Sequence, residues 1–284
     1  MDSKWSEQAL RLVEGAYDLH VHATPSHDPR SLDDFELVEE ATALGMAGVL
    51  VKNHYEPTSG RAALVNRRMK GGATLYGSIA LNWPVGGINP YAAESAVLLG
   101  AKMIWMPTRD SKNSIDREGC KFRPREGLTA LDQDGKLKPE VFEVMEVARQ
   151  HGICVSTGHL TTRESFSVCR CGIDAGVRMV LTHPEFSHTV ISVEDQKEFV
   201  RMGALIEKDW VDIALGMTTP QAVAQSIREI GAQHIYLATD RGQASGERPA
   251  KGMLLYIESL LECGVTPEEI RTMIRTVPQM VLGE

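Results

Sequence analysis

The 284-residue sequence has no long apolar run and no excess of positive charge. No stretch reaches the roughly 20 apolar residues that span a bilayer, and residues 1–8 contain no apolar signal-peptide core. The 38 acidic and 30 basic residues are interleaved and give a formal net charge of -8, which disfavours a nucleic-acid surface and a polybasic membrane patch. We therefore expect a cytoplasmic protein whose partner is a small molecule. The sequence is also compatible with a homo-oligomer.

Cysteine is also scarce, with five residues, an odd number. Without an export signal, a chain of this length is not expected to depend on a disulfide framework. Cys169 and Cys171 are two positions apart in the segment 164–172, which is predicted to be helical, so they face different directions. We interpret them as packing thiols rather than as a metal-binding pair.

A dinucleotide-binding motif is missing as well, because no Gly-x-Gly-x-x-Gly follows the first apolar strand. The chain instead repeats a helical segment, a glycine and a short apolar run. Glycine just past a helix end adopts the left-handed conformation without Cβ strain, so the pattern is typical of a helix followed by a buried strand. The runs lie at 47–51, 103–106, 153–155, 179–181, 204–206 and 235–237, and the segments 17–23 and 74–81 bring the total to eight.

Eight buried strands that alternate with helices predict a parallel sheet covered by helices. This favours an α/β fold, a single (β/α)8 TIM barrel domain over residues 1–284, with a doubly wound open sheet as the alternative. Segments 4–14 and 266–281 are predicted to be additional terminal helices. A long loop, 108–138, follows strand four, and we expect this excursion to act as a lid, with a mobile surface insertion as the alternative.

Polar residues close most of the predicted strands. In strand order they are His20 and His22, Lys52 and His54, Asn82, His159, His183, Glu207 and Asp240. The C-terminal ends of all strands of a barrel converge on one rim, where barrel enzymes build their active sites. We therefore expect these side chains to meet.

The first strand ends in His20-Val21-His22. Because side chains alternate faces along a strand, the two imidazoles should point the same way, roughly 6 to 7 Å apart along the strand. That spacing suits two neutral imidazoles that bind one divalent metal such as zinc. Taken alone, the pair is equally compatible with two solvated histidines at a strand end.

Taken together, this order of elements resembles the amidohydrolase superfamily of metal-dependent hydrolases. The resemblance rests on His-x-His in the first strand, on His159 and His183 closing strands five and six, and on Asp240 closing strand eight. It implies one or two divalent metal ions per chain, with zinc expected and manganese the alternative. His20, His22 and Asp240 would hold one ion. His159 and His183 would hold a second ion or, with one ion only, would orient the attacking water.

The implied activity is the cleavage of an amide, lactam, imide or lactone bond in a small polar substrate by metal-activated water. Asp240 would take the proton and pass it to the leaving group, and His183 and Lys52 complete the predicted catalytic group. Arg109 could hold a substrate carboxylate in two hydrogen bonds. The predicted substrate contacts are His54, Asn82, Arg109 and Glu207.

One departure from the superfamily pattern concerns the residue that bridges two metals in many members, a carboxylated lysine or a glutamate at the end of strand four. Here strand four ends in Trp105-Met106-Pro107-Thr108, and Lys52 and Glu207 are the available substitutes. An unpaired ammonium in the apolar strand that precedes Lys52 would be costly. This favours a ligand or substrate contact over a lysine that only reaches the rim.

Two other functions are compatible with the same residues. One is metal-dependent, non-oxidative decarboxylation of a small unsaturated or aromatic acid, which would be marked by release of carbon dioxide. The other is a metal-stabilised barrel that binds a ligand without turnover. A carboxylate beside histidines, as predicted for Asp240, argues against this last function because a scaffold has little use for a proton acceptor there.

Overall fold

The computed structural model describes residues 5–284. Eight parallel strands follow one another in chain order around one sheet. They are β1 Tyr17–Val21, β2 Gly48–Val51, β3 Thr74–Ala80, β4 Ala101–Trp105, β5 Cys154–Ser156, β6 Met179–Leu181, β7 Leu205–Asp209 and β8 Ile235–Ala238.

Backbone hydrogen bonds join the last strand to the first and close the sheet into a barrel. Asp240 N donates to His20 O at 2.7 Å, and His22 N donates to Arg241 O at 2.8 Å. Val21 and Arg241 form a parallel bridge at the same place. The (β/α)8 TIM barrel that the repeated pattern predicts is therefore confirmed.

Helices connect the strands and extend both ends of the chain. They are α1 Glu7–Val13, α2 Asp34–Ala43, α3 Ser59–Arg68, α4 Pro90–Leu98, α5 Lys112–Glu118, α6 Pro139–His151, α7 Thr162–Asp174, α8 Val193–Met202, α9 Trp210–Ala214, α10 Pro220–Ile230, α11 Pro249–Glu262, α12 Pro267–Arg271 and α13 Val277–Leu282. The terminal helices agree with the prediction, except that residue 4 lies outside the described residues. Within residues 5–284, no helix is long and apolar enough to cross a membrane.

Apolar side chains pack in two layers. An inner cluster fills the barrel and includes Leu19, Leu50, Met103 and Trp105, with Val281 of α13 packed into the same cluster. A larger cluster lies between the strands and the surrounding helices. Because side chains fill the interior, a ligand can reach the polar strand ends only from the rim.

The pairing of β1 with β2 contains an irregularity that the sequence pattern does not reveal. The register shifts between Asp18 and Val21. Leu19 packs in the inner cluster and Val21 in the outer one, although a regular strand would place them on the same face. The shift lets His20, next to Leu19, also turn towards the barrel interior, where its ring centroid lies 4.7 Å from that of Trp105.

The long excursion after β4 is largely built of short regular pieces. It contains α5 and two isolated bridges, Ser111 with Leu128 and Leu131 with Leu137. Asn113 Nδ2 donates to the backbone oxygen of His159 at 3.1 Å, which holds the excursion against the end of β5. The excursion therefore lies on the predicted rim, while its action as a lid stays a prediction.

The side chain of Asp18, in β1, forms hydrogen bonds with Thr239, which directly follows β8. Its carboxylate is buried and accepts hydrogen bonds from Thr239 N at 2.9 Å and from Thr239 Oγ1 at 2.6 Å. Burial raises the pKa of this carboxyl group to about 7. Asp18 therefore adds two buried hydrogen bonds to the backbone bonds that close the barrel.

We expect Asp18→Ala to lower the free energy of unfolding by about 2–4 kcal/mol, because both Thr239 donors would lose their acceptor in a buried place. Chemical denaturation measures this change. The exposed Asp134, in the excursion, provides the control, and its alanine variant should stay within about 0.5 kcal/mol of the unsubstituted protein. Equal stabilities of the two variants would contradict this role of Asp18.

Candidate metal centre

Five histidines form a ring at the rim of the barrel. Going round the ring, neighbouring centroids lie 5.4 Å (His20 to His22), 5.1 Å (His22 to His54), 5.9 Å (His54 to His159), 5.0 Å (His159 to His183) and 5.9 Å (His183 to His20) apart. All five are buried. The structure thus brings the four histidines predicted as metal ligands together, and it adds His54, predicted as a substrate contact, between two of them.

The Nδ1 atom of every ring has a hydrogen-bonding partner. The partners are Glu207 Oε1 for His20 (3.0 Å), the backbone oxygen of Lys52 for His22 (2.8 Å), Thr108 Oγ1 for His54 (2.9 Å), Ser114 Oγ for His159 (3.1 Å) and Thr189 Oγ1 for His183 (3.0 Å). Outer partners of this kind fix the orientation and tautomer of metal-binding imidazoles. A carboxylate and a carbonyl only accept, so His20 and His22 carry their proton on Nδ1 and a lone pair on Nε2.

The electrostatics keep several of these imidazoles neutral. Burial lowers the pKa of His22 to about 3 and that of His183 to about 4. Burial also holds the pKa values of His54 and His159 well below their usual range. Neutral imidazole is the form that ligates a metal ion, so the ring is ready to act as a ligand set near pH 7.

Asp240 points a carboxylate oxygen at the first two histidines. Its Oδ1 lies 2.9 Å from His22 Nε2 and 3.3 Å from His20 Nε2. Nevertheless, this buried oxygen receives no hydrogen bond from the described residues. No proton therefore lies between the carboxylate oxygen and either imidazole, and the nearest donor to this group is Lys52 Nζ, 3.0 Å from His20 Nε2. A divalent cation would satisfy all three electron-pair donors. These residues fit the ion that the sequence pattern implies.

The backbone is strained where two of these residues leave their strands. His183 has φ 22° and Asp240 has φ 46°, and they are the non-glycine residues with positive φ among residues 5–284. Such conformations cost about 1–3 kcal/mol each and persist where the surroundings enforce them, often at functional sites. Gly242 contributes to this constraint, because a Cβ there would collide with the backbone oxygen of His22.

Lys52 lies on the floor of the site beneath the histidines. Its Nζ is 3.0 Å from His20 Nε2 and 4.1 Å from the ring centroid of Trp105. Burial lowers the pKa of this ammonium to about 8, while Asp240 acts in the opposite direction. The side chain therefore does not extend into solvent, and it lies where a ligand or substrate contact would be made.

Glu207 does not occupy the predicted position at a strand end. Strand β7 continues to Asp209, so Glu207 lies inside it and is fully buried behind His20. Its carboxylate contacts His20 Nδ1 and the hydroxyl of Tyr236. The predicted substrate contact is therefore corrected, because Glu207 orients a histidine and does not line the cavity.

Asn82 also has a different role from the predicted substrate contact. Its side-chain amide donates to His54 O and to Thr108 Oγ1, both at 2.6 Å. Its carbonyl oxygen accepts from Thr108 N at 2.9 Å and from Asp110 N at 3.1 Å. Since these four bonds use all its donors and fill its acceptor, Asn82 joins the second strand end to the excursion instead of meeting substrate.

A cavity of about 560 Å³ with both polar and apolar walls opens above the histidine ring. Lys52, His54 and Asp240 line its floor, and Arg109 lies in its wall, while its contact with a substrate stays a prediction. Arg109 is paired with Glu118 across the same wall. The remaining lining includes an apolar side formed by Phe186, Val211, Leu215 and Met217 and a polar side formed by Asp28, Arg30, Arg241, Gln243 and Glu247.

Sequence reasoning missed several residues that position the ring. Asp209 lies 3.4 Å from His20 Nδ1, and the alternating charges of Glu207-Lys208-Asp209 were the available signal for a strand with acids on one face. Ser114 and Thr189 gave no signal, because a hydroxyl on a loop or short helix is common. Their partners become visible only when the chain is folded.

Solved structures share this fold over nearly the whole chain. An amidohydrolase from Pseudomonas aeruginosa has a TM-score of 0.66 and 14% identity, covering 97% of this chain and 98% of that chain. A probable dipeptidase from the same organism has a TM-score of 0.61 and 10% identity, covering 98% of this chain and 97% of that chain.

The phosphotriesterase homology protein from Escherichia coli, solved with phosphate in its active site, has a TM-score of 0.60 and 14% identity and covers 94% of this chain and 98% of that chain. At such identities the likeness shows the fold. The resemblance to amidohydrolase-type barrels that the sequence pattern indicated is confirmed at that level.

No protein of curated function matches this sequence. One family model matches residues 15–207, more than half of the chain. The matched part contains all five histidines of the ring and ends before Asp240. The chain therefore belongs to the family of unknown function DUF6282.

Proposed function

We propose that the protein is a metal-dependent hydrolase that cleaves an amide, lactam, imide or lactone bond in a small polar substrate. The observation that carries the proposal is the unpaired Asp240 Oδ1 between two histidine Nε2 atoms at the floor of an open cavity. The similar solved structures include an amidohydrolase and a probable dipeptidase, which supports a hydrolytic function.

In this proposal His20, His22 and Asp240 hold one divalent ion, with zinc expected, and His159 and His183 lie close enough to hold or orient what binds next to it. A divalent ion in this place would supply a water of lowered pKa and would polarise the scissile carbonyl. The outer hydrogen bonds of the imidazoles keep all of these groups in place, which lowers the entropic cost of assembling the site.

Asp240 is the proposed proton carrier. Its carboxylate lines the cavity, and its Oδ1 lies 2.9 Å from His22 Nε2 and 3.3 Å from His20 Nε2. Burial opposes ionisation of this group, but His20, His22 and Lys52 beside it hold its pKa well below its usual value, so the group is a carboxylate near neutral pH. It would take the proton of the attacking water and give it to the leaving group.

Lys52 and His54 are the proposed polar contacts on the other side of the floor. As an ammonium, Lys52 would pair with Asp240 and with an oxygen of the substrate; as a carbamate, it would be an anionic ligand. His54 is held by Thr108 Oγ1 and faces the cavity. Both residues follow β2, so they approach the substrate from the side opposite to His183, which follows β6.

The metal part of the proposal is tested by the metal content of the purified protein. We expect one or two equivalents of a divalent metal per chain, measured by elemental analysis, and a loss of most of one equivalent in His22→Ala, because the first ion would lose one of three protein ligands. His151, exposed at the end of α6, provides the control, and its alanine variant should keep the full metal content. Purified protein without divalent metal, also after incubation with zinc or manganese, would contradict the proposal.

The catalytic part is tested with Asp240→Asn on a substrate found by screening small amides, lactams, imides and lactones. We expect turnover to fall by roughly 10² to 10⁴, because the amide keeps the shape and one ligand oxygen but removes the basic site. Metal content should fall far less. Asp134→Asn, on the exposed excursion, is the control for the substitution itself.

Nearly full turnover and full metal content in Asp240→Asn would show that another group moves the proton. Two results of the screen would favour the alternative functions. Release of carbon dioxide from a small unsaturated or aromatic acid would indicate decarboxylation. Stoichiometric ligand binding with no product would indicate a binding protein.

A further inference from the structure

Arg30, on the loop between β1 and α2, is a buried cation with free hydrogen-bond donors. Its side chain is 5% exposed. Nε donates to Ser26 Oγ at 3.2 Å, and neither terminal nitrogen donates a hydrogen bond to any residue in 5–284. A guanidinium presents five N–H donors in a fixed plane, and the terminal donors of Arg30, which lines the cavity, have no acceptor among the described residues. Such a group points to a ligand that is anionic and planar or multidentate.

The nearest acid does not neutralise Arg30. Asp28 Oδ2 lies 3.9 Å from the terminal nitrogen, which is beyond hydrogen-bonding distance. The other oxygen of Asp28 is paired with Lys121. Because Asp28 is already bound to a more exposed cation, Arg30 retains its unused donors.

The other cations of the cavity are engaged. One terminal nitrogen of Arg109 is paired with Glu118 while its Nε has no partner among the described residues, and its side chain is 39% exposed. Arg241 Nε lies 3.0 Å from Glu247 Oε1, and its terminal nitrogen donates to Ser245 O at 3.0 Å. Lys52 contacts His20. Among the arginines of this wall, Arg30 therefore combines a buried side chain with terminal nitrogens that have no acceptor among the described residues.

The position of Arg30 relative to the candidate metal centre is fixed by the backbone. Arg30 and Gln243 form an antiparallel bridge, and Ser31 N donates to Gly242 O at 2.9 Å. Gln243 Nε2 in turn donates to the backbone oxygen of Asp240 at 2.6 Å. Arg30 thus belongs to the same rigid group of loops as Asp240, and both line one cavity.

We propose that Arg30 is the specificity-determining residue of this site and that the substrate is a small anion whose carboxylate or phosphate oxygens bind its guanidinium while the bond to be cleaved lies over the histidine ring. This inference rests on the proposed function, since it assigns the substrate class of the same cavity. It also moves the anion contact from the paired Arg109, predicted from the sequence, to Arg30, whose donors are free.

The test is the binding of simple probes to the protein as purified, measured by calorimetry. The probes are malonate, inorganic phosphate and the uncharged malonamide. They are compared in the unsubstituted protein, Arg30→Gln, Arg30→Lys and Arg109→Gln, with the exposed Arg68→Gln as control. Metal content is measured in each sample, because an ion in the centre would also attract an anion and must be equal for the comparison to report on Arg30.

We expect the affinity for one of the two anions to fall about 10- to 100-fold in Arg30→Gln, because charge-assisted hydrogen bonds to a buried guanidinium are lost. Arg30→Lys should recover part of it, since a lysine keeps the charge but not the planar pair of donors. In Arg109→Gln the affinity for the same anion should fall threefold or less. The affinity for malonamide should be unchanged in all variants. The anion that depends more on Arg30 identifies the substrate group as a carboxylate or a phosphate.

Anion affinities that are equal in Arg30→Gln and the unsubstituted protein would overturn the inference, as would equal losses for malonamide and malonate, which would indicate a structural role. A larger loss in Arg109→Gln than in Arg30→Gln would return the anion contact to Arg109. None of these results contradicts the proposed metal-dependent hydrolase function, provided that the metal content is unchanged. Conversely, protein that carries no metal but binds malonate through Arg30 would refute the proposed function and leave the anion site standing.

Discussion

The site depends on three electron-pair donors that approach one another with no proton between them, beside the Lys52 ammonium, whose Nζ lies 3.0 Å from His20 Nε2. A carboxylate oxygen of Asp240 lies within about hydrogen-bonding distance of the Nε2 atoms of His20 and His22, yet the protons of both imidazoles point away from it. In a buried place, where the effective dielectric constant is low, such a cluster repels itself unless a cation or proton joins it. The strained φ of Asp240 shows that the fold holds the carboxylate in this position against a local cost.

The barrel provides the stiffness that this arrangement needs. Asp18 and the backbone bonds between the ends of β1 and β8 fix the first and last strands next to each other, which puts Asp240 beside the His20-Val21-His22 segment. The excursion after β4 reaches the other side of the ring through Ser114 and Asn113. The site combines residues about 220 positions apart, and hydrogen bonds hold it both from the junction of β1 and β8 and from the excursion. Such support is what a pre-organised site requires.

The sequence predicts the barrel and the convergence of the histidines well, because both follow from periodic features. Apolar runs after glycines mark the strands, and the residue that follows a barrel strand must lie on the rim. The prediction that Glu207 ends strand seven was wrong, because β7 continues two residues further, to Asp209. The charged residues after the apolar run were interpreted as the end of the strand. In the fold, Lys208 is buried beside Glu185 and Gln196, so tertiary contacts extend β7 past the apolar run.

Arg30 and the hydroxyl groups that hold His159 and His183 could not be found from the sequence. The importance of a loop residue such as Arg30 is visible only in the folded state, where the terminal nitrogens of its guanidinium have no acceptor among the described residues. The same holds for Asn82. Its position after a strand predicts a substrate contact, but in the folded structure its side-chain amide is used in four hydrogen bonds within the protein. Periodicity locates backbone elements, whereas the satisfaction of polar groups is a property of the three-dimensional arrangement.

The most direct measurement of the central claim is an anomalous difference map from a crystal of the protein as purified, recorded on both sides of the zinc and manganese absorption edges. The account predicts a strong peak bounded by His20 Nε2, His22 Nε2 and Asp240 Oδ1, with any second peak beside His159 and His183. A map without a peak at this place, with the Asp240 carboxylate instead hydrogen-bonded to protein or water, would contradict it.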